Sequence, residues 1–458
     1  LLAIFFDAGE NSEISEKITG AIQQDGKTAS ALFPIGSSVS ALTPTIKISE
    51  KATYSPAGKQ DFSSPVTYTI TAEDGTTNNY RIQVKVEQST ERALLSFAFL
   101  KSDNSIVTNI VGEVDLANKE VQVITNANTD LKTLLPKLEI SEGASYSPQG
   151  VQDFSEPVIY TVIAADGTES SYTVTVRTER DLLIAIEEAN PNHRLNWNIT
   201  DSDLGFDIRI ILDDEGFVNL LCLSGANLTI LPDEIGFFRK LKYLELDKNR
   251  LATIPEKFGN LTNLLELNLN GNNLQNLPSK FAELSSLYRL HLGINNFVQI
   301  PDEVYDLDLK EFIFSGNKLE QLPEKIIELK SLTSLDIGNN LLSDLPEELP
   351  QLTNLEFLEA SKNRFEKIPP AVFTLKSLIG ISFAENKIDK VPTDIKKLTN
   401  LKYLIIPDNL LAFLTPEVAS IASLELLDIQ GNPIEVLASE ICEKVDLIIE
   451  KDDSTNCE

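Results

Sequence analysis

The stretch LLELNLNGNNLQNLP, Leu264 to Pro278, decides how this chain is read. Leu264, Leu267 and Leu269 stand in an L-x-x-L-x-L pattern, followed by Asn272, Leu274, Leu277 and Pro278. The L-x-L core predicts a short strand, because alternate residues of a strand face opposite sides. Asparagine and glycine then predict a turn, with the asparagine side chain satisfying backbone groups left open there. One such unit cannot bury its own leucines, so its meaning depends on recurrence.

It recurs. Ten copies begin at Val218, Leu241, Leu264, Leu287, Leu309, Leu332, Leu355, Leu378, Leu401 and Leu424. The asparagine slot is filled from Asn249 to Asn432 and held by Ala226 in the first copy; proline closes the frame from Pro232 to Pro392. The step from Leu287 to Leu309 is one residue short, at YDLDLKEF. The chain contains no methionine, and loss of one there would leave that spacing. This is the frame of a leucine-rich repeat, and it predicts a solenoid with parallel strands along one face. Every Leu, Asn and Pro of the frame has a structural role.

The array needs caps, since its ends expose apolar edges. RDLLIAIEEANPN predicts a helix with Asp181 as N-cap and Asn190-Pro191 as the stop. FDIRIILDDEGFVNLLCL predicts a hairpin feeding the first repeat, and Trp197 lies in the same cap. This cap resembles the amino-terminal caps of bacterial leucine-rich repeat surface proteins. At the far end EICEKVDLIIEKDDSTNCE closes the array. Cys442 and Cys457 stand in it either as two thiols or as a disulfide; closing roughly 15 residues would add about 3 kcal/mol. Cys222 is expected to be a lone thiol.

The first half repeats differently. KISEKATYSPAGKQDFSSPVTYTITAEDGTTNNYRIQVKV returns about 90 residues later as EISEGASYSPQGVQDFSEPVIYTVIAADGTESSYTVTVRT. Tyr54 aligns with Tyr146, Phe62 with Phe154, Asp74-Gly75 with Asp166-Gly167, and upstream Phe5 with Phe97. The last match makes LLAIFF a first strand, not the tail of a signal peptide. Period-two runs of Thr, Val, Ile and Tyr joined at Asp-Gly predict β-sandwiches. The YSP…QDFS.PV.YTV.A.DGT string resembles immunoglobulin-like modules of unknown function in surface lipoproteins of Gram-negative gut anaerobes. That resemblance implies an exported protein, lipid-anchored at the outer membrane or cell surface, or secreted. The expected organisation is multidomain: two all-β immunoglobulin-like sandwiches (1–90 and 91–178), a cap (179–217), an α/β leucine-rich repeat solenoid of ten repeats (218–440) and a C-terminal cap (441–458).

Composition narrows function. The 458 residues are 42% hydrophobic and 24% charged, with a net charge of −30. Such acidity excludes nucleic acid as an expected partner, because phosphate contacts need clustered Lys and Arg. No apolar run is long enough to span a bilayer. No phosphate-binding glycine loop, H-E-x-x-H, Cys-x-x-Cys or G-x-S-x-G pattern occurs. No cofactor and no metal site is expected, and the chain is not expected to be an enzyme.

Recognition would then use the outward residues of the repeat strands. One row runs Leu220, Tyr243, Glu266, Arg289, Glu311, Ser334, Phe357, Gly380, Tyr403, Leu426. The second runs Cys222, Glu245, Asn268, His291, Ile313, Asp336, Glu359, Ser382, Ile405, Asp428. His291 stands beside Arg289, Glu266 and Glu311, either in a polar recognition patch or in a solvated charge network. Asp336 and Glu359 fall side by side, either hydrated or ready for a Lys, an Arg or a cation. Phe357 and Tyr403 flank Gly380, with Ile405 near; exposed aromatics on a rigid sheet suit an interface, while scattered apolar surface is the alternative. The candidate partner-binding set is Tyr243, Glu245, Glu266, Arg289, His291, Glu311, Asp336, Phe357, Glu359, Tyr403 and Ile405. A protein ligand presenting basic groups is the expected partner; a glycan stacked on the aromatics is the alternative, and hydrolysis by paired carboxylates the third reading.

Overall fold

The computed structural model describes the chain except residues 13, 24, 25, 196, 198, 200–208 and 458. It forms two compact units. One comprises Leu1–Phe99, Val111–Gln122 and Lys132–Thr175; the other comprises Leu100–Ile110, Val123–Leu131 and Val176–Glu458. Two segments of the second copy, one of them including the strand end Val123–Thr125, are therefore assigned to the second unit.

In the first copy, seven strands form one continuous hydrogen-bonded sheet around Ile4, Phe6, Phe33, Phe62 and Tyr68. In the second copy the equivalent strands split into sheets of five and three. The split falls at Gly112, between Ile110–Val111 and Glu113–Asp115; the first copy keeps Ile18–Ile22 as one strand. One pair, Thr28–Phe33 with Arg81–Val86, is parallel. The Asp-Gly turns join antiparallel strands as expected, and Asp74 accepts from the Thr76 amide and hydroxyl. The alignment of Phe5 with Phe97 is corrected. Ile4 pairs with Ile46 and Phe97 with Leu138, so the inward partner of Phe97 is Ile4. A one-residue slip reverses faces in a strand, and Phe5 instead lies under the Lys17 ammonium at 3.3 Å.

In the array, the first leucine of each L-x-L and its two flanking residues form a short strand paired in parallel with the next, as in Glu266–Asn268 beside Arg289–His291. The sheet has 12 strands: antiparallel Ile210–Leu212 at one end, the ten repeat strands, and Ile448–Glu450 at the other. The last strand lies in the segment read as a cap. Frame leucines such as Leu244, Leu246, Leu290 and Leu292 are fully buried in one continuous core. The convex side carries single 3₁₀ turns, such as Glu256–Asn260 after Pro255, rather than the α-helices an α/β solenoid implies. Few residues separate the proline from the next leucine, which suits one tight turn.

The short repeat is absorbed at one residue. The other turns end on an apolar residue at ψ between 51° and 96°, such as Leu261 and Leu284, whose i+3 amide bonds back to it. Leu307 is extended at ψ 151°, reaches Leu309 with one residue fewer, and leaves Glu311 in register with Arg289.

The asparagines join the coils. Asn340 donates through Nδ2 to Phe314 O of the previous repeat at 3.0 Å and to Ile337 O at 3.1 Å. Its Oδ1 accepts from Leu319 N–H at 3.0 Å. The same pattern holds from Asn272 to Asn432. Beside the last strand the buried Thr455 hydroxyl instead donates to Ile434 O at 2.9 Å.

At the first cap a helix spans Glu179–Ala189. Its N-cap is Thr178, not Asp181; Asp181 is the third helical residue and returns a bond to the Thr178 amide, closing a capping box. Glu187 holds both Trp197 and His193, so the second histidine is structural. Part of the expected cap lies outside the described residues. Glu179 is fully buried; it accepts from Val218 N–H at 2.6 Å, and its other oxygen meets no donor among the described residues. Burial pushes its pKa well up, and Asp213 adds to this against Val218 N–H and Lys240. At the far end Cys442 and Cys457 are bonded, while Cys222 is free. Among the described residues no helix is long and apolar enough to cross a membrane.

Asn340→Ala orphans the buried Leu319 amide and leaves Phe314 O and Ile337 O with one asparagine donor each, from Asn317 and Asn363, and is expected to cost about 2 kcal/mol in urea unfolding; Asn296→Ala, on the more open side of its turn, should cost far less. Glu179 supplies a pH test. Its folded pKa lies above its unfolded value, so the folded state keeps a proton that the unfolded state releases, and stability falls as pH rises between the two. Unfolding of wild type and Glu179→Gln from acid to neutral pH should show the variant gaining relative stability as pH rises; a constant difference would refute this reading.

Candidate recognition surface

Strand geometry places these side chains. Leucines at the first, fourth and sixth positions are buried, which leaves the third and fifth positions on the open face of the sheet. All eleven candidates lie on that face in two in-register rows. One row holds Tyr243, Glu266, Arg289, Glu311, Phe357 and Tyr403; the other holds Glu245, His291, Asp336, Glu359 and Ile405. None is sealed inside.

The amino-terminal half of the face is a closed charge network. Arg289 reaches Glu266 at 2.6 Å and Glu311 at 2.9 Å, and His291 Nε2 meets the other Glu311 oxygen at 2.8 Å. Tyr288 donates to Glu266, and Asn268 to Glu245 at 2.8 Å. Burial works against Glu311 ionising, yet the hydrogen bonds from His291 and Arg289 outweigh it and hold its pKa below the usual range. His291 is thus hydrogen-bonded into this network on the open face.

Asp336 and Glu359 do face each other across adjacent strands. Each also accepts hydrogen bonds from neighbouring turns, Asp336 from the preceding repeat as well as its own and Glu359 from its own. Asp336 accepts from Ser315 Oγ at 2.7 Å and Gly338 N–H at 2.9 Å; Glu359 accepts from Ser361 N–H at 2.7 Å. Among the described residues no cluster of acidic, His or Cys side chains is arranged to hold a metal ion.

The carboxy-terminal half is apolar. Phe357 is 42% exposed and Tyr403 37%, with Gly380 between them. They bound an open hollow of about 170 Å³ lined also by Glu359, Ser382 and Ile405. Gly380 keeps it open: a Cβ there would lie 3.0 Å from Phe357 Cδ1 and 3.6 Å from Tyr403 Cδ2. Sequence reasoning missed how the rows end. Ile448, 63% exposed, and Glu450 continue them beyond Leu426 and Asp428. Their segment lacks the repeat frame, and the sole signal was spacing, Ile448 standing one repeat after Leu426.

The two β-rich copies match the family described as SGBP, N-terminal, over residues 10–84 and 99–176. The array matches the leucine rich repeat family over residues 239–297. Neither is a catalytic family. No protein of curated function matches the chain. Among solved structures, a leucine-rich repeat protein of Leptospira interrogans is similar at 33% identity and TM-score 0.47, over 52% of this chain and 66% of its own. The Arabidopsis receptor kinase HAESA, solved with the peptide hormone IDA and a co-receptor, is similar at 20% identity and TM-score 0.52, over 61% of this chain and 54% of its own. An internalin of Listeria monocytogenes is similar at 19% identity and TM-score 0.41, over 54% of this chain and 86% of its own. The chain thus spans about two thirds of the Leptospira chain and about half of HAESA. The family match and the likeness to HAESA bear on fold alone: the array is a leucine-rich repeat solenoid.

Glu311→Gln tests the network. The pairs are partly solvent-exposed, so at neutral pH the loss should be at most about 1 kcal/mol. Because the folded pKa of Glu311 is depressed, its contribution is present above the unfolded carboxylate pKa and is lost as pH falls through the folded value. Thermal melts of the variant and wild type should therefore converge in acid.

Proposed function

We propose that this is a non-enzymatic binding protein of a bacterial cell surface, exported and either lipid-anchored or secreted. The open face of the array is its platform for a protein ligand, and the two sandwiches act as a spacer. The observation that carries the reading is the pair of exposed rings, Phe357 and Tyr403, held across Gly380 on a hydrogen-bonded sheet. Exposed aromatics fixed in this way need little ordering on binding and are typical interface anchors. The match of both sandwiches to an SGBP amino-terminal domain supports surface display. Leucine-rich repeat proteins are typically protein-binding, which supports the kind of ligand. Carboxylate-pair hydrolysis is not proposed, since among the described residues no cleft around Asp336 and Glu359 supports it and both already accept hydrogen bonds from neighbouring turns.

A second reading, glycan binding, is favoured by the same rings and by the SGBP match, a surface glycan-binding family. Capture of surface proteins by the full chain, run beside a glycan array, separates the two. Phe357→Ala with Tyr403→Ala should lower protein capture by about tenfold or more. Capture unchanged in the variant would overturn the placement of the site, and array signal lost in the variant with no protein captured would select the glycan.

A further inference from the structure

From Ser334 to Glu450 the two rows contain no cation. The third-position row becomes apolar at Phe357 and stays so through Gly380, Tyr403, Leu426 and Ile448. The fifth-position row beside it carries Asp336, Glu359, Asp428 and Glu450, with Ser382 and Ile405 between. Lys402, which directly precedes Tyr403, is held by Glu425 at 2.8 Å. Arg289, the one cation in either row, is bound by Glu266 and Glu311 in the other half.

Resting on the protein-recognition reading above, we propose that this half takes a cationic, amphipathic protein segment. Its apolar side chains lie along the row from Phe357 to Ile448, and its Lys or Arg side chains lie over the acidic row. Two magnitudes select this occupant. The hollow beside Tyr403 is about 170 Å³, below the roughly 300–1,000 Å³ of small-molecule sites, so it seats one side chain of a longer ligand. The apolar row crosses four strand spacings of about 4.8 Å, roughly 19 Å in all, the reach of a short run of residues. Carboxylates along one edge, with no cation in the row to neutralise them, favour lysine or arginine there and disfavour an acidic segment.

The probes are three labelled synthetic peptides of equal length: alternating Leu-Lys, alternating Leu-Glu and alternating Ser-Lys. Binding to the full chain is read by fluorescence anisotropy. The Leu-Lys peptide should bind about tenfold or more tighter than either of the others. It should weaken clearly as salt is raised from about 0.05 to 0.5 M. Phe357→Ala with Tyr403→Ala should reduce its affinity about tenfold. Ile448→Glu, at a residue already largely exposed, should reduce it without affecting folding. Asp428→Lys with Glu450→Lys should reverse the preference between Leu-Lys and Leu-Glu. Equal binding of all three peptides, absence of Leu-Lys binding, or insensitivity to every substitution would overturn the proposal. An unbiased peptide-display selection distinguishes the two failures. Acidic or purely polar binders that lose affinity in Phe357→Ala sink this inference and leave the platform standing, whereas binders indifferent to every substitution on the open face sink both.

Discussion

Each coil of the array is fastened to the one before it by a buried carboxamide. Where the chain leaves a strand, its carbonyls and amides enter a core that holds no other polar partner for them. An unpaired buried backbone group costs more than a typical hydrogen bond contributes. The asparagine meets this demand in both directions, donating to its own turn and the previous one and accepting from an amide of the previous repeat. The amide is fixed in reach only if successive coils stack in one register. The ladder therefore aligns the strands, and aligned strands give two straight rows on the open face. The recognition surface is a consequence of the core.

This dependence explains what the sequence made legible. The leucines, asparagines and prolines repeat because every coil solves the same burial problem, so the fold could be read from spacing alone. The rows followed from the alternation of strand side chains. What escaped were features settled by contact between neighbours. Thr178 rather than Asp181 caps the first helix because the two residues bond reciprocally, and either type suits the position alone. Asp336 and Glu359 looked like a bare pair because the serine and backbone donors that occupy them come from turns, not from the strand rows. Ile448 and Glu450 pair with the tenth repeat although the leucine frame around them has decayed.

Charge is distributed in a way the net value of −30 conceals. In the amino-terminal half of the face, carboxylates converge on one guanidinium and one imidazole, and the network is internally satisfied. Its side chains are already bonded to one another, so an incoming group must compete with those bonds. The carboxy-terminal half offers apolar surface with acidic groups beside it and no cation in either row. Desolvating the second half releases water from rings and methyl groups; desolvating the first breaks charge-assisted bonds. On that ground the apolar half is the better anchor, and the network is better suited to fixing orientation.

The strength of the ladder is visible in the strain it tolerates. The residue just before the asparagine slot is left-handed throughout the array, from Gly225 at φ 62° to Gly431 at φ 66°. Glycine supplies that conformation at Gly271 and Gly316, but Lys248, Ile294, Asn339, Lys362, Glu385 and Asp408 adopt it too. A side chain there costs about 1–2 kcal/mol, and Ile294 at φ 52°, branched at Cβ and 65% exposed, is the least suited of them. Its neighbour relieves the crowding, since a Cβ on Gly316 would come within 3.0 Å of Ile294 Cγ1. The turn keeps its shape regardless of which residue occupies it. A local preference of that size yields only to a stronger interaction. The asparagine's three buried hydrogen bonds, made again at the next coil, are that interaction.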